Sequence, residues 1–297
     1  MRLINLAIAF MMPVLLLFLL LAAGKATKIQ ADEVQLAFKE IISPVTTVSS
    51  VNLAAMNPVA TTKSAPWDAI KLDSGKLSNN VWGIGEGESL TSGVYQNEDS
   101  SYGWYWNREE PQLKTGAECV KPIYPSVRIG GSPWEKSNSP YFPIKAGDIQ
   151  SLKFDVTYSY PTAPTGAYNL SYDFFLLDTN QPSAHPDRKA EIMIWLQRTF
   201  AQPADTYKGD VSDGYNIYEM YSWTMSDGRL YCSFILKGEQ SRNSTQTVDA
   251  GKLIENLGLN PDWYIHGIEL GNEVVDGSGE IEISKFTVTV NDHLLQN

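Results

Sequence analysis

The 297-residue sequence predicts an all-β domain, a sandwich or a barrel. From Trp67 onward, short β-branched and aromatic runs alternate with Gly, Pro, Asn, Asp and Ser turns, the texture of many short strands. Within those runs apolar residues recur at every second position, so each strand has one core face and one outer face. Internal repeats and a glycine-rich phosphate loop are both absent from the sequence.

The first 64 residues read differently. Met1–Gly24 has Arg2 ahead of an apolar run from Leu3 to Ala23, followed by small residues. That pattern is expected for a secretory signal, and the run is also long enough for an uncleaved anchor at the cell surface. Both readings put the remainder outside the cell. Residues 25–64 carry Asp32–Ile42, a candidate short helix, and then a Ser, Thr, Val, Ala and Pro-rich stretch expected to be a linker.

Residues 65–297 form the predicted domain. Strands are expected at Ser126–Ile129, Ser151–Tyr158, Ser171–Leu177, Glu191–Leu196, Tyr231–Leu236 and Ile281–Val290. Ala190–Phe200 also fits a helical face, but its β-like neighbours favour a strand. One short helix is expected at Asp249–Asn256, with Leu253, Ile254 and Leu257 at helical spacing and Gly258 as a stop.

Charge narrows the partners. There are 23 Lys and Arg against 34 Asp and Glu, a net charge of −11, or about −12 without Arg2. Such a surface disfavours nucleic acid, anionic membranes and anionic polysaccharides, and suits a neutral glycan. Eight Trp and fifteen Tyr supply flat apolar platforms of the kind sugar rings stack on. The three histidines are isolated and no CxxC or HExxH occurs, so neither a metal site nor a cofactor is expected. The two cysteines, Cys119 and Cys232, are free to pair after export, although a domain of this size does not need a disulfide. A monomer is expected.

The informative residues are acids inside apolar strands, where a charge costs several kcal/mol unless it is paired, solvated or used. In Glu191–Trp195, Ile192 and Ile194 share the core face, while Glu191, Met193 and Trp195 share the other. In Ser171–Leu177, Tyr172, Phe174 and Leu176 face the core and Asp173 faces away. In Gly267–Val275, Ile268 and Leu270 face the core and Glu269, Gly271 and Glu273 face away, Gly271 leaving room for a ligand to approach the backbone. Two facing carboxyls from distant strands are what glycoside hydrolysis requires. Alternation does not choose between Glu269 and Glu273 as the second of them.

At these positions the chain resembles glycoside hydrolase family 12. The resemblance rests on Asn79-Asn80-Val81-Trp82-Gly83, with Trp67 upstream, and on Trp104-Tyr105-Trp106 and Lys121-Pro122-Ile123-Tyr124-Pro125-Ser126. It continues through Asn169-Leu170-Ser171-Tyr172-Asp173, Glu191-Ile192-Met193-Ile194-Trp195 and Gly271-Asn272-Glu273, in the family's order. It implies a β-jelly roll of two curved antiparallel sheets with an open cleft, and a secreted retaining endo-β-1,4-glucanase acting on cellulose or β-glucan. Xyloglucan is the alternative substrate, and a non-catalytic glycan-binding jelly roll is the rival class. It further implies Glu191 as nucleophile, Glu273 as acid/base and Asp173 as partner of the nucleophile. Trp67, Asn80, Trp82, Asn169, Met193 and Trp195 are the implied substrate-binding residues. Two departures stand out: Val275 replaces an aromatic common after the acid/base, and Gln197–Val211 lacks the family's Pro-Ile-Gly string.

Overall fold

The computed structural model describes residues 59–111, 120–199, 206–238 and 241–297. The expected signal or anchor, the Asp32–Ile42 helix and nearly all of the linker lie outside these residues, as does Cys119. Among the described residues, no helix is long and apolar enough to cross a membrane.

Two sheets pack face to face. The first contains β1 (Val59–Lys63), β4 (Leu90–Asn97), β5 (Tyr102–Arg108), β17 (Gly277–Val290), β8 (Leu152–Thr162) and β14 (Ser244–Asp249), in that spatial order, with β18 (His293–Gln296) also on β17. The second runs β11 (Tyr207–Ser212), β12 (Ile217–Thr224), β13 (Leu230–Leu236), β10 (Arg188–Arg198), β9 (Asn169–Leu177), β16 (Gly267–Gly271), β6 (Ser126–Gly130), β3 (Gly75–Ser78) and β2 (Ala69–Lys71). The short β7 (Ile144–Lys145) and β15 (Tyr264–Ile265) pair beside β9. Neighbouring strands are antiparallel except β10 and β13, which run parallel. All six predicted strands form, with ends that differ by up to four residues from those expected, and the ambiguous Ala190–Phe200 segment is strand through Arg198.

The predicted helix is α1 (Ala250–Glu255), with Asp249 accepting from the Lys252 amide as N-cap. One boundary differs from expectation. Val59–Lys63, read as the end of the linker, pairs with β4 as an exposed edge strand. Its Val-Ala-Thr-Thr run has the β-branched character an edge strand accepts.

The core lies between the sheets. Ile192 and Ile194, Tyr172, Phe174 and Leu176, and Ile268 and Leu270 are all buried there, as alternation requires. Opposite them stand Phe154, Val156, Ile281, Phe286 and Val288. Tyr172 joins the layers, its ring 4.8 Å from Phe154 and 6.0 Å from Phe286. Trp104 and Trp106 are core residues, as is Cys232.

A buried cation ties the loops that follow the strands. Arg108, at the end of β5, donates to the carbonyls of Lys121 (2.9 Å), Val274 (2.8 Å) and Gly83 (3.2 Å), and pairs with Glu88 at 2.8 Å. It therefore fixes the loop that carries Trp82 to the segment that carries Glu273. Arg108→Met strands three carbonyls and an acid, and is expected to cost about 3–5 kcal/mol in urea unfolding.

Candidate active site

The site lies on the outer face of the 11-stranded sheet. Cross-strand register places Met193 opposite Asp173, Asp173 opposite Glu269 and Glu269 opposite Arg128. Glu191 sits one step along the same face, opposite Phe175 on one side and Tyr231 on the other. Glu273 follows the end of β16. Four carboxyls from three stretches of the chain thus share one neighbourhood, and each has a different environment.

Glu269 is an ion-paired acid. Arg128 donates to it at 3.2 Å, and the Ser126 hydroxyl donates at 3.2 Å. Arg128 also reaches Glu135 at 2.6 Å, which in turn holds Lys76. Together the Arg128 and Lys76 contacts pull the Glu135 carboxyl below its ordinary range although partial burial opposes them. Glu269 and Glu273, which alternation left equivalent, therefore differ in chemistry: one is committed to a guanidinium and the other is not.

Glu273 is held by an asparagine. Asn169 Nδ2 donates to its carboxylate at 2.6 Å, and Asn169 Oδ1 accepts from its amide at 3.0 Å. The Asn169 amide in turn donates to the Glu273 carbonyl at 3.0 Å. Below them Asn272 is fully buried, accepting from Trp104 Nε1 at 2.8 Å and donating to the Asn169 carbonyl at 2.6 Å. The core indole thus fixes Asn272, Asn272 fixes Asn169, and Asn169 fixes Glu273. Burial pushes the Glu273 carboxyl up to about 7, the charge of Glu191 adds to this, and the Asn169 hydrogen bond opposes it.

Asp173 has no cation in contact. Its Oδ1 is buried with no hydrogen-bond partner among the described residues. Burial first, then Glu191, Glu269 and Glu273, raise its carboxyl well above the usual range. Such surroundings favour its protonated form. Glu191 is raised by burial too, but Arg229, 3.1 Å from Oε2, and then Arg188 pull it back. Tyr124 completes the floor, its hydroxyl donating to the Ser171 carbonyl at 2.9 Å.

The implied substrate-binding residues divide into two groups. Trp82 is 48% exposed and Trp67 is 61% exposed. Asn80 shapes the loop, its Oδ1 accepting from the Trp82 amide at 3.1 Å. These are available to a ligand. Met193 and Trp195 are only 2% and 3% exposed. They lie on the outer face, but Tyr221, Tyr231 and Ile235 cover them in a second apolar cluster. Asn169 is likewise fully buried. The implied substrate-binding residues Met193, Trp195 and Asn169 are therefore packed beneath the surface and not exposed on it.

Gly271 also departs from expectation. A Cβ there would lie 2.6 Å from the Pro125 carbonyl and 2.9 Å from the Tyr124 ring, so the neighbouring strand takes the space read as room for a ligand. Sequence reading missed Arg229, which sits in the Asp227-Gly228-Arg229 turn before β13; such a triplet reads only as a hairpin turn. It also assigned no role to Trp134, which is 50% exposed with its ring 5.7 Å from Phe175 and Arg188 over it at 5.4 Å.

The upward shift of Glu273 has a stability consequence. The unfolded chain ionises this acid near 4.5 and the folded chain near 7, so its contribution is complete at low pH and is lost as pH rises between those values. Glu273→Gln removes that loss. Its thermal midpoint is expected to match wild type at about pH 4 and to exceed it near pH 8.

Comparison with known proteins identifies the family and its fold. The model of glycosyl hydrolase family 12 matches residues 75–291. Endoglucanase S of Pectobacterium parmentieri is 28% identical over 255 residues, covering 82% of this chain and 92% of that protein. Xyloglucan-specific endo-beta-1,4-glucanase A of Aspergillus aculeatus is 23% identical over 234 residues, covering 75% and 89%. Among solved structures, a ligand complex of the family 12 xyloglucanase from Bacillus licheniformis aligns with TM-score 0.67 and 28% identity, over 78% of this chain and 100% of that one. These neighbours are β-jelly-roll sandwiches, the fold expected from the sequence. From the first strand of the matched region to the last, the chain belongs to glycosyl hydrolase family 12.

Proposed function

We propose that the protein is a secreted endo-β-1,4-glucanase that cleaves internal bonds of a neutral β-glucan with retention. The observation that carries this reading is the contrast between two neighbouring acids: Glu191, raised by burial but opposed by an Arg229 contact at 3.1 Å, and Glu273, raised to about 7 and held by an asparagine with no cation in contact. A retaining glycosidase needs one carboxylate and one carboxylic acid across the bond to be cut.

In the first step Glu191 attacks the anomeric carbon and the glycosidic bond breaks. Its electron pair stays on the departing oxygen, which takes the proton from Glu273. In the second step Glu273 takes a proton from water, the resulting oxygen attacks the same carbon, and Glu191 leaves. Asp173, shifted toward its protonated form beside Glu191, adds little charge to the site and so raises the cost of ionising the nucleophile less than a carboxylate would. Trp82, exposed on a loop fixed by Asn80 and Arg108, offers a stacking face for a sugar ring.

Xyloglucan is the second substrate to weigh, because relatives of both names align over most of the chain. The test is reducing-sugar release from mixed-linkage β-glucan, carboxymethylcellulose and xyloglucan, with wild type beside Glu191→Gln and Glu273→Gln. Both variants are expected to be inactive while folded, and azide is expected to restore part of the activity of Glu273→Ala on an activated substrate. Near-normal turnover in either Gln variant, or inverted product stereochemistry by NMR, overturns the assignment. Trp82→Ala is expected to lower kcat/KM by about tenfold, the size of one aromatic contact.

A further inference from the structure

Glu191 meets a cation that comes from a hairpin turn and not from its own sheet register. The turn joins β12 to β13. The Met225 amide donates to the Arg229 carbonyl at 2.8 Å and the Gly228 amide to the Met225 carbonyl at 2.9 Å. Gly228 has φ of 86°, a left-handed conformation that glycine adopts without a Cβ penalty. Asp227 Oδ1 accepts the Arg229 amide at 3.1 Å. Because β10 and β13 are parallel, with Ala190 opposite Leu230, the residue that precedes β13 arrives at the same end of the sheet as Glu191.

The guanidinium is nearly covered, and its contacts are unequal. Nη1 donates to Glu191 Oε2 at 3.1 Å, and Nη2 lies 2.9 Å from Met225 Sδ and 3.6 Å from Asp227 Oδ2. Nε is buried with no hydrogen-bond partner among the described residues. A buried Arg–carboxylate pair built for stability commonly uses the fork fully, with two parallel bonds. Here one oxygen is engaged and Oε1 is left to attack.

We infer that Arg229 is a positioning residue for the nucleophile, fixing the Glu191 carboxylate through Oε2 and keeping it charged among neighbouring acids. This rests on Glu191 being the nucleophile. The charged and titratable groups that face Glu191 are Asp173 from β9, Arg188 from its own strand, Tyr231 from β13 and Asp227 with Arg229 from the turn. Glu273 faces it from beyond β16, where Glu269 is neutralised by Arg128. Arg188 is a second cation, held over the rings of Trp134 and Phe175 at 5.4 Å from each, and Arg229 is the one in contact.

The experiment is the pH dependence of kcat/KM on a soluble β-glucan for wild type, Arg229→Met, Arg229→Gln and Arg229→Lys. The Glu191 carboxyl carbon is titrated in parallel by 13C NMR and assigned with Glu191→Gln. Removing an adjacent cation disfavours the carboxylate, so the acidic limb and the Glu191 titration are both expected to move up, by about one pH unit or more, in the Met variant. KM is expected to change little. Lys is expected to restore most of the shift. Gln removes the charge and ends about where Nε of arginine lies, so it reads the same shift if the Met variant does not fold. An acidic limb and a titration that stay at the wild-type position in a folded Met or Gln variant overturn the inference. Activity surviving in Glu191→Gln overturns the nucleophile assignment itself, whereas an inactive Glu191→Gln with an unmoved limb overturns only the role of Arg229.

Discussion

Four carboxyls on one face of a sheet repel one another, and protein around them raises the cost of each charge. The site is organised by the way each of them escapes that cost. Glu269 is neutralised by Arg128, Glu191 is met by Arg229, Glu273 accepts from Asn169, and Asp173, with no cation in contact, is pushed toward its protonated form. These environments are not interchangeable. If Asp173 were ionised, Glu191 would be harder to ionise. If Glu269 lacked Arg128, its charge would bear on Asp173 across the strand pair. The difference between Glu191 and Glu273 is therefore a property of the whole set, and not of those two acids alone.

The core makes that set rigid. Trp104 belongs to the other sheet, yet its indole nitrogen is the donor that fixes Asn272, and through Asn169 it fixes Glu273. Arg108, two turns of the pleat further along the same strand, reaches the carbonyl of the next residue, Val274. The acid is thus gripped from both sides of its own backbone by residues that never face a ligand. Such support matters because a reacting group displaced by about 1 Å can lose most of its effect. The layer of Met193, Trp195, Tyr221 and Tyr231 does the same below Glu191, with the Tyr231 hydroxyl 3.0 Å from Met193 Sδ.

Much of this was legible in the sequence because strands have a strict period of two. That period assigns Ile192, Ile194, Tyr172, Phe174, Ile268 and Leu270 to the core, and it turns Glu191, Asp173, Glu269 and Glu273 outward. Period alone gives a direction, however, and not a depth. Met193 and Trp195 point outward and are still buried, because β12 and β13 lay their own aromatics over them. Gly271 looked like room for a ligand, but glycine also permits close strand contact, and that is how it is used here. Glu269 and Glu273 separate only once Arg128, more than a hundred residues away in the chain, is placed beside one of them. Arg229 was out of reach for the same reason: a cation in a turn carries no periodic signal, and its partner is decided by a parallel strand pair.

The topology of the smaller sheet governs when any of this assembles. β17 lies between β5 and β8, and it is the next-to-last strand of the chain. Without it, β5 and β8 have no common neighbour, and the first sheet falls into two separate parts. The final residue, Asn297, then ties back to Ser74 and Arg128, near the beginning of the described fold. Long-range pairings of this kind are slow to form. A sheet whose two flanks meet only through one strand far along the chain from both is expected to form in a single cooperative step, with no stable half.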